Sequence, residues 1–286
     1  MTTLIARVND ELHRVTHRMF NSDRELARLE NSGTLGETLA GAIRNADKRQ
    51  IDTQEAQYVS EIESLRRAMI TSRRELEITD FGASSEQNRG TTEAPGRKLR
   101  VELGHFSRAA SKRASSALLM MKLIRALRPE TVLELGTCVG ISSAYQSVGL
   151  HLNGGGKLIT IEGAPALAEV AEENLRTLQL DRYCEVLRGR FSDVLPQALK
   201  KVGHVDFAFI DGHHDYEATL KYFRQIKPHL RSKSVAVFDD IAWSDGMAAA
   251  WKQIVADPDV FISVDLFTMG LCTFSGNKGN FRIASS

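Results

Sequence analysis

The sequence predicts an α/β fold. It is a doubly wound sheet of seven strands, mostly parallel, with an antiparallel hairpin on its edge and a helical extension in front. Three observations carry this. From residue 115 onward, short apolar runs alternate with segments of helical spacing, the pattern of a parallel sheet covered on both faces. The last two β-rich runs, Val260 to Phe267 and Met269 to Phe274, are separated only by a tight turn. Residues 1–80 carry helical periodicity and almost no strand signal.

In the extension, Ile5, Val8, Leu12, Val15, Met19, Ser22, Leu26 and Leu29 are spaced by three and four, a heptad seam that is apolar except at Ser22. Asn31-Ser32-Gly33 supplies a stop, and a short helix is expected near Leu35 to Ala46. Ile51, Glu55, Tyr58, Ile62, Leu65, Met69, Ser72 and Leu76 repeat the seam more weakly. Two readings stand: a helical hairpin packed on its own chain, or a coiled-coil arm that makes a homodimer. Residues 81–96 have loop composition, from Gly82-Ala83-Ser84-Ser85 to Pro95-Gly96, and serve as a linker or a lid. The expected division is 1–80 extension, 81–96 loop and 97–286 α/β domain. Between Arg97 and Arg113 the bases Arg97, Lys98, Arg100, Arg108, Lys112 and Arg113 face one acid, Glu102. A solvated helix face is the expectation, with a docking patch for an anion as the alternative.

The strands then follow in order: 131–135, 157–161, 184–187, 205–210 and 234–238, before the terminal pair. The helices fall at 116–127, closed by Pro129, and at 141–150, 164–178, 193–200, 216–226 and 246–255.

Composition bounds the function. The chain has 286 residues, 42% apolar and 26% charged, with 37 basic against 36 acidic side chains. A net charge of +1 argues against a dedicated nucleic-acid binder. Cys138, Cys184 and Cys272 form no metal or redox spacing. With no apolar leader and no run long enough to span a bilayer, a cytoplasmic protein is expected.

Ligands of such sheets bind at the carboxyl ends of the strands. There the first strand gives Glu134-Leu135-Gly136-Thr137-Cys138-Val139-Gly140-Ile141-Ser142, a tight glycine turn into a helix N-terminus. Its spacing is not the dinucleotide G-x-G-x-x-G, which argues against a nicotinamide oxidoreductase. The second strand ends in Glu162, an acid placed to accept ribose hydroxyls. The third is followed by Gly189-Arg190-Phe191-Ser192-Asp193, the fourth by Asp211-Gly212-His213-His214, and the fifth by Asp239-Asp240 and then Trp243. Asp211, Asp239 and Asp240 would converge on one rim. Clustered carboxylates repel unless neutralised, and a divalent cation such as Mg²⁺ does this well. The bland alternative is that Asp239 or Asp240 caps the next helix.

These four segments, Val132–Ser142, Ile159–Glu162, Val205–Asp211 and Val237–Asp240, in this order and spacing, make residues 115–275 resemble a class I S-adenosylmethionine-dependent methyltransferase, a Rossmann-like fold. The likeness is to the catechol O-methyltransferase-like group and bacterial small-molecule O-methyltransferases. The resemblance implies S-adenosyl-L-methionine as cofactor and a small-molecule acceptor. Glu134, Gly136, Gly140 and Ser142 would hold its methionine part, and Glu162 its ribose. Gly189, Arg190 and Phe191 would border adenine, with Asp211 also at the cofactor. Asp211, Asp239 and Asp240 would be metal ligands, Asp240 standing where Asn is common. Catechol-type enzymes carry a lysine three residues after the first of these ligands; here that position is His214. A histidine of ordinary pKa, about 6.5, accepts a proton near neutrality, so His214, with His213 beside it, is the candidate base. An N-methyltransferase on a macromolecule and a non-catalytic scaffold of the same fold are the other readings.

Overall fold

The structure is a computed structural model and describes residues 22–81 and 96–284. Residues 22–30 are helical (α1), followed by α2 (Thr34–Asp47), α3 (Thr53–Ile70), β1 (Glu75–Asp80), β2 (Arg97–Glu102), α4 (Leu103–Ala110) and α5 (Ala114–Leu127). The alternating part runs β3 (Thr131–Leu135), α6 (Ile141–Leu152), β4 (Lys157–Glu162), α7 (Pro165–Thr177), β5 (Cys184–Arg188), α8 (Phe191–Val202), β6 (Val205–Ile210), α9 (Tyr216–Ile226), β7 (Leu230–Asp239) and α10 (Asp245–Val255). It closes with β8 (Ile262–Asp265), β9 (Met269–Thr273) and β10 (Gly279–Arg282).

The main sheet has the order β10-β8-β9-β7-β6-β3-β4-β5. Strands β7, β6, β3, β4 and β5 are mutually parallel, and β9 runs against both β7 and β8. The parallel order with an antiparallel pair at the edge is as the sequence predicts. The sheet has eight strands rather than seven, because β10 pairs in parallel with β8. That strand is only four residues, Gly-Asn-Phe-Arg, and buries one side chain, Phe281, so it gives no apolar run to detect. The chain reverses its winding between β3's neighbours β4 and β6, which opens a crevice above their carboxyl ends.

Each face of the sheet has its own apolar core. One face packs Val132, Leu158 and Phe207 against Leu123, Val148 and Leu175 of α5, α6 and α7. The other packs Leu133, Ile159 and Ala208 against Leu199, Phe223 and Ile254 of α8, α9 and α10. Alternate residues of one strand thus serve opposite layers. The helices end where the residues require it. Arg128 takes a left-handed conformation just before Pro129 and closes α5. The side chain of Ser244 caps α10 at the backbone N–H of Met247, leaving Asp239 and Asp240 out of any cap.

The extension departs from the expectation in two ways. Leu76, the last member of the second heptad seam, lies in β1, which pairs with β2 as an antiparallel ribbon. Glu-Leu-Glu-Ile alternates with period two, burying Leu76 and Ile78, and this outweighs the heptad spacing. The expected boundaries at 80 and 97 therefore cut through one paired unit. The basic run does not make one solvated helix face either. Lys98 and Arg100 pair with Glu77 and Glu75 across the ribbon, and Arg108 donates to the carbonyl of Ile70.

The described part of the extension packs on its own chain. Leu39, Ile43, Ile62 and Met69 belong to the same core as α5 and α6. Glu55, a polar member of the seam, is buried because its carboxylate meets the ammonium of Lys122 on α5 at 2.5 Å and Arg125 at 3.5 Å. It also closes a capping box with Asp52 at the start of α3. Ile5 to Met19 of the first seam lie outside the described residues. Among the described residues no helix is long and apolar enough to cross a membrane.

Candidate functional site

The carboxyl ends of β3, β4, β6 and β7 open into a cavity of about 1060 Å³. Of the residues expected from sequence, Gly136, Glu162, Arg190, Phe191, Asp211, His213, His214, Asp239 and Asp240 line it, as does Trp243. Glu134, Gly140, Ser142 and Gly189 do not.

The reasons are local. Glu134 is fully buried beneath the first turn of α6, where its carboxylate accepts from Ser143 and from Gln146 at 2.7 Å. Burial pushes its pKa up, against hydrogen bonds from Ser143, Ser142, Thr160 and Gln146. Glu134 and Ser142 therefore brace the loop from behind. Gly140 begins α6 in a left-handed conformation, and a Cβ there would lie 3.1 Å from Ala171. Gly136 is different. Its φ is +100°, and a Cβ would stand 1.9 Å from the carbonyl oxygen of Asp211, so only glycine lets these two loops meet at the cavity floor. Gly189 donates its N–H to the carbonyl of Glu162 at 2.9 Å and supports that residue from outside the cavity.

Glu162 ends β4 with each oxygen held. Oε2 accepts from the N–H of Cys138 at 2.8 Å and Oε1 from the N–H of Ala164 at 2.9 Å. Burial raises its pKa to about 7, while these backbone N–H groups pull the other way. Around it stand side chains that sequence reasoning did not single out. Phe81, just after β1, lies under the guanidinium of Arg190 at 4.8 Å from its ring centre. Cys138 also faces the cavity.

The opposite end is charged. Lys112, between α4 and α5, places its ammonium 3.0 Å from Oδ2 of Asp211 and hydrogen-bonds Oδ2 of Asp239. Burial alone would lower the Lys112 pKa, but the two carboxylates outweigh it and hold the ammonium charged. One cation between two acids leaves a surplus negative charge, and burial together with Asp239 pushes Asp211 upward. Asp240 turns away from this pair. Its Oδ2 lies 3.7 Å from Nδ1 of His214, whose Nε2 is 3.7 Å from Oδ1 of Asp211. Burial lowers the His214 pKa against the pull of Asp240. His213 is more buried, and its Nδ1 stands 3.3 Å from the hydroxyl of Tyr222. His213, His214 and Asp240 all have positive φ, at 70°, 44° and 51°. With Cys138 at 52° and Phe267 at 68°, five non-glycine residues in this conformation line one cavity and mark a strained rim.

A divalent cation does not fit this donor set as it stands. The ammonium of Lys112 sits between two of the three expected ligands, and the third faces His214. Among the described residues no group of three or more His, Cys, Asp or Glu side chains is arranged to hold a metal ion. The charge argument from sequence asks for a cation at this rim; the structure places a lysine there. Its position in a run of bases, far in sequence from Asp211 and Asp239, gave no local signal. The S-adenosylmethionine expectation fits better, because a carboxylate fixed by two backbone N–H groups borders a cavity large enough for a nucleoside and a second small molecule.

Residues 133–241 match a family model described as a methyltransferase domain. Over 120 residues the chain is 31% identical to catechol O-methyltransferase of Niastella koreensis, covering 42% of this chain and 52% of that protein. It is 32% identical over 127 residues to the catechol O-methyltransferase of Mycobacterium tuberculosis, covering 44% and 55%. The chain thus spans about half the length of these curated relatives. An O-methyltransferase from Bacillus cereus, solved in complex with SAH, superposes with a TM-score of 0.50 at 22% identity, over 58% of this chain and 83% of that one, a likeness of fold. Residues 133–241 are thus similar to a methyltransferase domain and, over about 120 residues, to catechol O-methyltransferases, on a fold like that of the Bacillus cereus enzyme.

Proposed function

We propose that the chain is an S-adenosylmethionine-dependent O-methyltransferase acting on the hydroxyl of a small molecule, with His214 as the base. The observation that carries this reading is the convergence of Glu162 and His214 on one cavity. One end offers a fixed carboxylate suited to two ribose hydroxyls, and the other a histidine suited to the acceptor's proton. The catechol O-methyltransferase relatives and the SAH-bound neighbour support the same assignment.

When bound, the sulfonium cofactor supplies an activated methyl group. The chain's own residues then have three tasks. Glu162 orients the nucleoside through its ribose, with Phe81 and Arg190 beside it. Asp211 and Asp240 flank the His214 ring on either side and set its direction. Trp243 borders the acceptor's end of the cavity. It is 68% exposed, an unusual position for a tryptophan without a partner to cover, with its ring centre 6.3 Å from that of His214. Alignment of the reacting atoms supplies much of the rate, and a base with an accessible neutral form completes it.

The test is a screen of hydroxylated aromatics, scoring release of S-adenosylhomocysteine. Turnover with any member that is lost in His214→Ala, with cofactor binding kept, supports the reading. Cofactor binding with no turnover over a broad panel favours a scaffold.

A further inference from the structure

We propose that Lys112 is the resident cation of this site, standing where the resembled family would place a divalent metal ion, and that it engages an acceptor through one acidic hydroxyl, of the phenol class, with no need of a chelating pair. The inference rests on the O-methyltransferase reading for its substrate, and on geometry alone for the lysine.

The lysine is built into the site. Its side chain is 13% exposed and meets Asp211, at 16%, and Asp239, at 4%. Its ammonium also stands 5.7 Å from the centre of the Phe209 ring on β6. The backbone is fixed from the other side, where Nη1 of Arg66 on α3 donates to the carbonyl of Lys112 at 2.6 Å. Arg66 is in turn paired with Glu63, which accepts from the hydroxyl of Tyr145 on α6 at 2.8 Å. The helical extension therefore completes the catalytic rim by holding this residue.

The chemistry follows from the number of protons. An ammonium carries three donors and no acceptor. Two point to Asp211 and Asp239, which leaves one for an oxygen in the cavity. A divalent ion accepts several oxygen ligands at once and so grips two vicinal hydroxyls. Lys112 offers one charge-assisted hydrogen bond to one oxygen. In the transfer, the acceptor's proton passes to His214. The new O–C bond forms as the S–C bond of the sulfonium breaks, and the bonding pair stays on sulfur as a neutral thioether. Lys112 stabilises the negative charge on the oxygen as it develops, and Asp211 and Asp239 keep the ammonium aimed.

The experiment uses Mn²⁺ alone as probe, followed by electron paramagnetic resonance, with the full-length wild type, Lys112→Met and Lys112→Arg. S-adenosylhomocysteine is titrated calorimetrically into each in parallel. The expectation is no Mn²⁺ bound to the wild type or Lys112→Arg at millimolar metal. With an acceptor in hand, wild-type turnover is unaffected by EDTA, monohydroxy acceptors match vicinal diols, and Lys112→Met loses ~100-fold in kcat, the scale of one oxyanion donor. Stoichiometric Mn²⁺ binding to the wild type that is abolished in Asp239→Asn overturns the proposal, since a metal then displaces the lysine. Absence of S-adenosylhomocysteine binding overturns the methyltransferase reading instead, and with it the acceptor class, while the metal result still decides what occupies the acid pair.

Discussion

Arg66 on the N-terminal extension hydrogen-bonds the carbonyl oxygen of Lys112 at 2.6 Å, and Lys112 bridges Asp211 and Asp239 at the ends of two sheet strands. A residue outside the methyltransferase-domain match thereby sets the position of one inside the cavity. Replacing Arg66 with Met removes a charged donor from a part-buried carbonyl, at a cost of about 1.5–3 kcal/mol. The expected result is a lower melting temperature and a kcat reduced about tenfold, with the affinity for S-adenosylhomocysteine unchanged. Equal loss of cofactor affinity would point to general disruption of the fold.

Glu162 should make cofactor binding depend on pH. Its pKa is raised to about 7, chiefly by burial. Ribose hydroxyls donate to the carboxylate form, so binding favours ionisation and releases a proton below that pKa. Affinity for S-adenosylhomocysteine should rise ~tenfold from pH 6 to pH 8 by linkage, and calorimetry in buffers of different ionisation enthalpy should register the proton. Glu162→Gln should flatten the dependence. For the unliganded protein the sign is opposite. The raised pKa contributes stability that is complete below the ordinary carboxylate range and is lost as pH rises through about 7.

The Glu55–Lys122 pair ties the extension to the domain away from the cavity. Both side chains are nearly inaccessible, at 4% and 9%. Lys122→Met leaves the buried Glu55 carboxylate with the 3.5 Å contact to Arg125 and the capping-box N–H of Asp52. It should destabilise the protein by about 3–5 kcal/mol, whereas the double replacement with Glu55→Met should recover most of that loss. Urea denaturation of the two variants measures this, and a double variant as unstable as the single one would refute it.

Trp243 should govern the acceptor and not the cofactor. Trp243→Ala is expected to raise the acceptor KM several-fold and leave S-adenosylhomocysteine affinity alone. The other tryptophan, Trp251, is buried against Phe238, so the change in emission on acceptor binding should vanish with Trp243. A persisting signal would place the acceptor elsewhere.

Much of the domain was legible because its signals are local. Continuous apolar strands alternating with amphipathic helices gave the parallel sheet, and strand ends gave Glu162, Asp211, His214, Asp239 and Asp240. What was not legible depends on distance in the chain or on short elements. Lys112 acquires its meaning only from carboxylates on β6 and β7. Glu134 reads as a ligand-facing acid because it precedes a glycine turn, yet strand alternation sends it beneath α6 to Ser143 and Gln146. Leu76 fits a heptad and a strand equally by spacing, and pairing with Val101 decides for the strand.

The most direct measurement is calorimetric titration of S-adenosylhomocysteine into the purified protein in EDTA, beside Glu162→Ala. The account predicts saturable one-to-one binding that needs no metal and is lost in the variant. No binding by folded wild-type protein, or binding that Glu162→Ala leaves intact, would contradict the assignment of the cavity.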